Sequence, residues 1–350
     1  MASPAVHMRA NAATDERGSA DDSLRELCFS DVVFSQRYDG WRVLGRGPWA
    51  TVVRTRSRDL GHDIALKVFV NLDPEQLARV RLEVRAVQAL ATPYLVHTYS
   101  LFDRGSIAWF EMEWVDGVNL QQELDRLAAA GERLPLARAY EIALGVSRCV
   151  WHAHRHGVLH RDIKPANVLL PASGRPAAKV SDFGIARLAE VAGSTPRGAI
   201  IGTPRFASPE ALAGDLVGPQ HDVYGLGATL YALFTAGLAP HELSPGASIA
   251  SLRRLRLTEQ PKPIRQLAPM VDPGLVRVLM ESLAPEPSER ATLRRIVRAL
   301  ERAQAGLASA AGRSAPRRDE WVSPWRIAVV GLGLVMLGFW STLRHVRGRR

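Results

Sequence analysis

Two regimes of hydrophobic patterning divide the chain near Gly117. Before it, apolar residues come in short alternating bursts that predict strands: Trp41-Arg42-Val43-Leu44, Thr51-Val52-Val53-Arg54 after a glycine-containing turn, and Ile64-Ala65-Leu66-Lys67-Val68-Phe69 after the turn Asp59-Leu60-Gly61-His62. Two more such runs, around Val96–Leu101 and Ile107–Trp114, complete a small sheet. The period changes between Pro74 and Leu90, where Leu77, Val80, Val84, Val87 and Leu90 share one helical face. Beyond Gly117 the helical period dominates, most clearly over Leu136–His156, Asp222–Ala236, Asp272–Leu283 and Glu289–Ala303. A strand-rich part followed by a helix-rich part predicts two lobes with a cleft between them, an α+β architecture.

The last apolar stretch has no period at all. Ile327–Leu343 contains the run IAVVGLGLVMLGFW, without a charge, between Trp325-Arg326 and four arginines at 344, 347, 349 and 350. At helical rise its 17 to 19 residues reach about 26–28 Å, short but sufficient for a hydrocarbon core of about 30 Å. Trp325 and Trp340 near its ends suit the interfacial belt. The competing reading is a core or amphipathic helix, which the lack of a polar face argues against. Residues 1–37, by contrast, are rich in Ala, Ser, Asp and Arg with little periodicity and no apolar stretch of signal-peptide type, and are expected to form a mobile leader.

Composition narrows the functional classes. The 350 residues are 47% hydrophobic, ample for a core, and carry a formal charge of +10. The positive charge is spread along the chain and partly collected in the tail, with no zinc-finger spacing or RNA-binding aromatic signature, so no nucleic-acid partner is predicted. The two cysteines, Cys28 and Cys149, lack metal-ligand spacing and read as reduced thiols. His152, His154 and His156 cannot place three imidazoles on one helix face, which argues against a metal there. The basic residues are four Lys against 41 Arg. Two of those four are Lys67 and Lys164, both inside the motifs below, where a compact ammonium serves better than a guanidinium fork.

Two short strings carry the chemistry. His160-Arg161-Asp162-Ile163-Lys164-Pro165-Ala166-Asn167 offers a carboxylate, a lysine two residues on and an amide oxygen five residues on. Asp182-Phe183-Gly184 follows at a distance of 15 residues and supplies a second carboxylate. Transfer of a γ-phosphoryl group needs this set: an anion for the nucleophile's proton, a cation on the migrating phosphate and two oxygen ligands for Mg²⁺. Together the strings resemble the catalytic loop and metal-binding segment of protein kinases, and the Lys164-Pro165-Ala166-Asn167 ending resembles the Ser/Thr branch.

That resemblance runs from about Trp41 to Ala303 and implies roles for further residues. Gly45-Arg46-Gly47-Pro48-Trp49-Ala50-Thr51-Val52 is similar to the glycine-rich loop, with Ala50 where a third glycine is usual and Pro48 lacking an N–H; a plain hairpin with two glycines remains open beside it. Lys67 would hold the α- and β-phosphates with Glu83 as its partner, against the alternatives of a snorkelling lysine and a local Glu83 bridge to Arg81 or Arg85. Met112-Glu113-Trp114-Val115 resembles the hinge that meets adenine. The ATP-binding set implied is thus Leu44, Gly45, Gly47, Val52, Ala65, Lys67, Glu83, Met112, Glu113 and Val115. Asp162, Lys164 and Thr203 are the implied catalytic set, Asn167 and Asp182 the Mg²⁺ ligands, with Mn²⁺ as the alternative ion. Gly202–Glu210 is similar to the end of an activation segment, with Phe206 and Ser208 where Tyr and Ala are usual. Glu210 would pair with Arg290, and Asp222 would anchor the catalytic loop. Ser194 and Thr195 are phosphosite candidates.

The organisation expected is a leader over 1–37, a kinase domain over 38–303, a linker over 304–324, a transmembrane helix over 325–343 and a short basic tail over 344–350. The function expected is ATP- and Mg²⁺-dependent phosphorylation of Ser or Thr in protein substrates, by a single-pass membrane protein whose catalytic domain is cytoplasmic because ATP is. A membrane-anchored pseudokinase scaffold and a small-molecule phosphotransferase are the competing readings; the filled catalytic positions oppose the first, the activation segment the second.

Overall fold

The computed structural model describes residues 20–47, 49–183, 204–215, 217–242 and 248–314. The chain divides into two compact units, Met1–Gln304 and Ala305–Arg350, and everything that bears on the site lies in the first.

The expected strands form one antiparallel sheet in the order β1-β2-β3-β5-β4: Tyr38–Arg46, Thr51–Ser57, Asp63–Val70, Thr98–Arg104 and Ile107–Glu113 in chain order. The central strand β3 is apolar on both faces because both are covered. Ala65 and Phe69 point into one core, with Val80 and Val84 of a helix at Pro74–Gln88. Ile64, Leu66 and Val68 point into another, with Val53, Ile107 and Trp109. The Pro74–Gln88 helix starts in a capping box, Asp73 accepting from the Gln76 N–H and Gln76 from the Asp73 N–H.

What covers the second face corrects, for residues 20–37, the reading of 1–37 as a leader; residues 1–19 lie outside the described residues. Residues 20–30 form a helix, α1, and Val32–Arg37 form α2, so that the Pro74–Gln88 helix is α3. Cys28 and Phe34 are fully buried against the sheet, and Phe34 sits edge-on to Tyr38 and Trp109 at 4.7 and 5.1 Å between ring centres. The cause is the apolar outer face of β2, β3 and β5, which needs a cover, and the apolar residues of 24–34 provide it. A buried chain of hydrogen bonds secures the join: Trp109 Nε1 donates to Tyr38 Oη (2.8 Å), which donates to Glu111 Oε1 (2.8 Å).

The second lobe is helical: α4 Leu120–Ala130, α5 Leu136–Arg155, α6 Pro209–Ala213, α7 Pro219–Phe234, α8 Ile249–Thr258, α9 Ile264–Leu267, α10 Pro273–Ser282 and α11 Leu293–Ser314. Every residue of α7 from His221 to Phe234 is buried, as expected of a helix apolar on all sides. Its Gly225 lets it lie on the catalytic loop, since a Cβ there would stand 3.0 Å from the Ile163 carbonyl oxygen. Helix α11 runs on to Ser314, past the boundary at which the linker over 304–324 was expected to begin; the alanine-rich stretch has high helix propensity. Cys28 and Cys149 are free and buried, and burial pushes both thiols up to about 12. No helix among the described residues is long and apolar enough to cross a membrane, and the stretch 325–343 lies outside them.

Candidate active site

The cleft between the lobes has a volume of about 380 Å³. Its first-lobe wall is Leu44, Gly45, Val52 and Ala65, its inner wall Val96 and Met112, and its connecting edge Glu113 to Val115. Leu169 closes it from the second lobe, and Asp182 lies at its deep end. Seven of the ten residues expected to bind ATP therefore line one cavity. Gly47 caps the β1–β2 turn, its N–H donating to Ala50 O at 2.8 Å, while Lys67 and Glu83 take the partners described below. Gly117, at the exit of the connecting edge, has φ +158 and would put a Cβ 2.1 Å from the Leu170 carbonyl oxygen, so only glycine fits.

Pairing of two short strands brings the expected cation ligands together. Strands β6 (Gly117–Asn119), β7 (Val168–Pro171) and β8 (Lys179–Val180) form a small sheet in which Val168 faces Val180. The residues just outside that pair are Asn167 and Ser181, and the Ser181 N–H donates to Asn167 O at 2.9 Å. Asp182 comes next. Strand β8 is also tied to the first lobe, through Val180 N–H to Tyr94 O (2.7 Å) and Val96 N–H to Val180 O (2.9 Å).

The catalytic loop is organised round Asp162. Lys164 Nζ donates to Asp162 Oδ2 at 2.7 Å, and Asn167 Nδ2 donates to the Asp162 carbonyl at 2.8 Å and to Oδ2 at 3.1 Å. With its nitrogen so committed, Asn167 keeps its amide oxygen for a cation. Together with the Asp182 carboxylate this is an oxygen-only set, which suits Mg²⁺ or Mn²⁺ better than a softer ion.

The loop hangs on buried Asp222. Its Oδ2 accepts from the His160 N–H and its Oδ1 from the Arg161 N–H, both at 2.7 Å, and His154 Nε2 lies 2.8 Å from Oδ2. Burial raises the Asp222 carboxyl, but the His154 hydrogen bond and the neighbouring imidazoles outweigh it and hold the group below the usual range. His154, passed over as a metal ligand, is thus a support for the loop. His160 is fully buried, its ring 4.5 Å from that of Phe183, and burial lowers its pKa.

One expected pair is not made. Lys67 Nζ reaches Asp182 Oδ1 at 2.7 Å, and Glu83 Oε1 instead accepts from Arg161 Nη1 at 2.7 Å. Two other charges compete for the pair: the Arg161 guanidinium takes Glu83 and the Asp182 carboxylate takes Lys67, both from residues with left-handed backbone, φ +63 and +57. Lys67 is the main cause holding the Asp182 carboxyl below its usual range. Burial raises the Glu83 carboxyl, with the Arg161 charge acting against it. Nor does Glu83 form an ion pair with Arg81, which binds Asp103.

At the far end, Glu210 and Arg290 form a two-bond ion pair, Nη1 to Oε1 at 2.6 Å and Nη2 to Oε2 at 2.8 Å. Arg290 also donates to the carbonyls of Ala284, Gln220 and Pro285. Burial raises the Glu210 carboxyl, yet the Arg290 bonds outweigh it and leave the group lowered. Thr203, Ser194 and Thr195 lie outside the described residues. Sequence reasoning missed Val96 and Leu169 as cleft walls and Lys179 as the partner of Glu113 (2.7 Å). Of these only Leu169, two residues after Asn167, had a motif to mark it.

The protein kinase domain family matches residues 38–300. The chain belongs to the protein kinase family. Its relatives include bacterial Ser/Thr kinases: PknB of Mycolicibacterium smegmatis (36% identical over 265 residues, 73% of this chain and 41% of the relative) and PknJ of Mycobacterium tuberculosis (34% over 304 residues, 85% and 49%). A probable serine/threonine-protein kinase of Streptomyces coelicolor is 33% identical over 263 residues, 73% of this chain and 38% of its own length. The chain thus spans less than half the length of these relatives. Among solved structures, the PknI kinase domain of M. tuberculosis matches with TM-score 0.56 and 27% identity, over 77% of this chain and 97% of that one.

Proposed function

We propose that this kinase-family chain transfers the γ-phosphoryl group of ATP to Ser or Thr hydroxyls of proteins, that it is held at the cell membrane through 325–343 with its kinase domain in the cytoplasm, and that it is switched by phosphorylation of its own activation segment. The observation that carries the catalytic reading is the convergence of Lys164 Nζ and Asn167 Nδ2 on Asp162 Oδ2, at 2.7 and 3.1 Å, beside a cleft lined by Asp182, which pairs with Lys67 at 2.7 Å.

In this reading adenine enters between Ala65 and Leu169 and meets the backbone of Glu113 and Val115, with Met112 behind it. Lys67 leaves Asp182 for the α- and β-phosphates as Glu83 becomes its counter-ion. Asn167 and Asp182 would hold Mg²⁺, which would neutralise charge on the phosphates when bound. The substrate hydroxyl loses its proton to Asp162 as its oxygen bonds to phosphorus and the bond to the ADP oxygen breaks. Lys164, already beside Asp162, offsets the charge on the migrating group, and Thr203 helps place the acceptor.

The Arg161–Glu83 pair supports a resting state. A phosphate on Ser194 or Thr195 would compete for Arg161 with a double negative charge and release Glu83 to Lys67. The membrane reading is supported by the uncharged run at 327–340 and its flanking Trp and Arg residues.

The direct test is incubation of the full-length protein with ATP and Mg²⁺ and matched Ser, Thr and Tyr peptides, with mass-spectrometric mapping of every phosphate. Transfer to Ser or Thr above the Asp162→Asn background is expected. Transfer to Tyr alone, or none above background, would reject the catalytic reading.

A further inference from the structure

Two residues of the motif region have a buried contact that the scheme above leaves unused. Ser208, which caps α6, and His221, on α7, are 0% and 4% exposed, and Ser208 Oγ lies 2.8 Å from His221 Nδ1. The other ring nitrogen, His221 Nε2, is 3.0 Å from the carbonyl oxygen of Arg161. A carbonyl can only accept, so Nε2 carries the proton. Ser208 also hydrogen-bonds the Glu210 carboxyl, so two acceptors face its one proton; with a neutral His221 ring, Nδ1 is an acceptor and takes that proton. Ser208 Oγ in turn accepts from the Ala211 N–H at 3.4 Å, so the hydroxyl works in both directions.

The Arg161 carbonyl belongs to the peptide unit that leads into Asp162. The N–H of the same unit, that of Asp162, donates to His160 Nδ1 at 3.2 Å. Imidazoles therefore hold that peptide plane at both ends, and the preceding unit is held by Asp222 through the Arg161 N–H. The conformation so held, φ +63 at a residue with a side chain, is one the chain does not adopt unaided. Rotation of the plane would swing the Asp162 carboxylate away from the acceptor hydroxyl.

We propose that Ser208 and His221 form a positioning relay, in which the hydroxyl of the substrate-side segment selects the His221 tautomer that fixes the Arg161–Asp162 peptide plane and so aims the catalytic carboxylate. The proposal rests on the phosphotransfer reading for its kinetic consequence, but its tautomer is a property of the resting protein. Because Ser208 lies four residues beyond Pro204, the relay couples the segment expected to face the protein substrate to the base, and not to the nucleotide.

The test uses the full-length chain as His221→Ala, His221→Gln, Ser208→Ala and the double variant Ser208→Ala/His221→Ala. Turnover of a Ser/Thr peptide in His221→Ala should fall about 10- to 100-fold, the size of effect a misaimed catalytic group produces, with KM for ATP within about twofold. Glutamine places an amide N–H near the Nε2 position and should restore turnover to within a few-fold. Ser208→Ala should cause a smaller loss and add nothing to His221→Ala. In ¹⁵N-histidine spectra, the signals absent from His221→Ala should report a neutral Nε2–H ring in the wild type and a changed tautomer balance in Ser208→Ala. Wild-type turnover in His221→Ala, additive losses, equal losses in His221→Ala and His221→Gln, or an Nδ1–H or cationic ring would each overturn the relay. Absence of transfer by the wild type would strike at the kinase reading instead, while the spectra would still decide on the relay.

Discussion

Arg161 donates to Glu83 across 2.7 Å, and through this bond the catalytic loop withholds from Lys67 the carboxylate that the sequence assigned to it. Lys67 is left to neutralise Asp182, one of the two groups expected to bind the cation. Two ion pairs are thus made with the partners exchanged relative to the productive arrangement. Each is a partly buried, charge-assisted contact, so exchanging them requires a competing charge of comparable strength. In the proposed function Mg·ATP would supply one at Lys67 and Asp182, and a phosphorylated activation segment would supply one at Arg161.

If the exchange controls activity, Glu83→Gln should lower turnover while Arg161→Ala, which frees Glu83, should remove the dependence of the rate on prior autophosphorylation. Rates of preparations treated with phosphatase or with ATP, compared for wild type and Arg161→Ala, check this. A phosphatase-treated Arg161→Ala enzyme that still gains activity on incubation with ATP would contradict it. Mapping should place the phosphate on Ser194 or Thr195.

Asp162→Asn and Lys67→Met should each reduce phosphotransfer by at least about 10²-fold, since one removes the proton acceptor and the other a phosphate ligand. Asp162 is only half-buried and methionine keeps the length of the buried Lys67 stem, so the thermal midpoint should stay within a few degrees of wild type. Turnover at the wild-type rate in either variant would show the role to be misassigned.

The helices over 20–37 are part of the first lobe, so their loss should unfold it. Phe34→Ala should cost about 3–5 kcal/mol, the usual range for emptying a buried aromatic site, whereas Val32→Ala, at a position 63% exposed, should be nearly silent. Denaturant unfolding of the two variants makes the comparison. Removal of residues 1–37, which leaves the family match at 38–300 intact, should expose Trp109 and the outer sheet face and yield an aggregating protein.

Acid should loosen the second lobe at a predictable place. Glu210 and Asp222 have folded pKa values below their usual 4.5 and 3.8. A depressed carboxyl contributes stability that is complete above its unfolded pKa and disappears as pH falls through the folded one. Stability should therefore hold down to about pH 5 and decline below about pH 4.5, and the decline should be shallower in Glu210→Gln. At neutral pH that variant should already be less stable by about 3 kcal/mol, because it leaves Arg290 buried without its counter-charge. Urea titrations at pH 7, 5 and 4 test both statements, and parallel pH curves for the two proteins would refute the first.

Membrane attachment is decided by fractionation. The full-length chain should stay with membranes through carbonate and high-salt washes, whereas a basic peripheral tail would be released by salt. Ending the chain after Ser314, the last described residue of α11, should release an active kinase. Carbonate release of the full-length protein would refute the anchor.

Much of the site was readable without coordinates, because phosphotransfer chemistry fixes residue types at short spacings. Asp162, Lys164 and Asn167 lie within one loop, so their sequence separation is nearly their spatial one. The strands β1 to β5 and helices α3, α5, α7 and α10 were equally legible, since a half-buried element writes its period into the chain. Three things belonged to the tertiary structure alone. Residues 24–34 carry apolar positions, Leu24, Leu27 and Cys28 at helical spacing among them, but the apolar sheet face that these helices cover exists only in the folded chain. The partners of Lys67 and Glu83 depend on Asp182 and Arg161, which lie 115 and 78 residues away in sequence and meet them only in the fold. The Ser208–His221 contact joins positions 13 apart in sequence, where the stretch that includes Pro204–Phe206 packs on α7, and its effect on Asp162 runs through a peptide plane 60 residues earlier. Sequence determines which groups are available and how local runs fold; which of several nearby charges a group finally meets is decided by distance and burial, and those exist only in the folded chain.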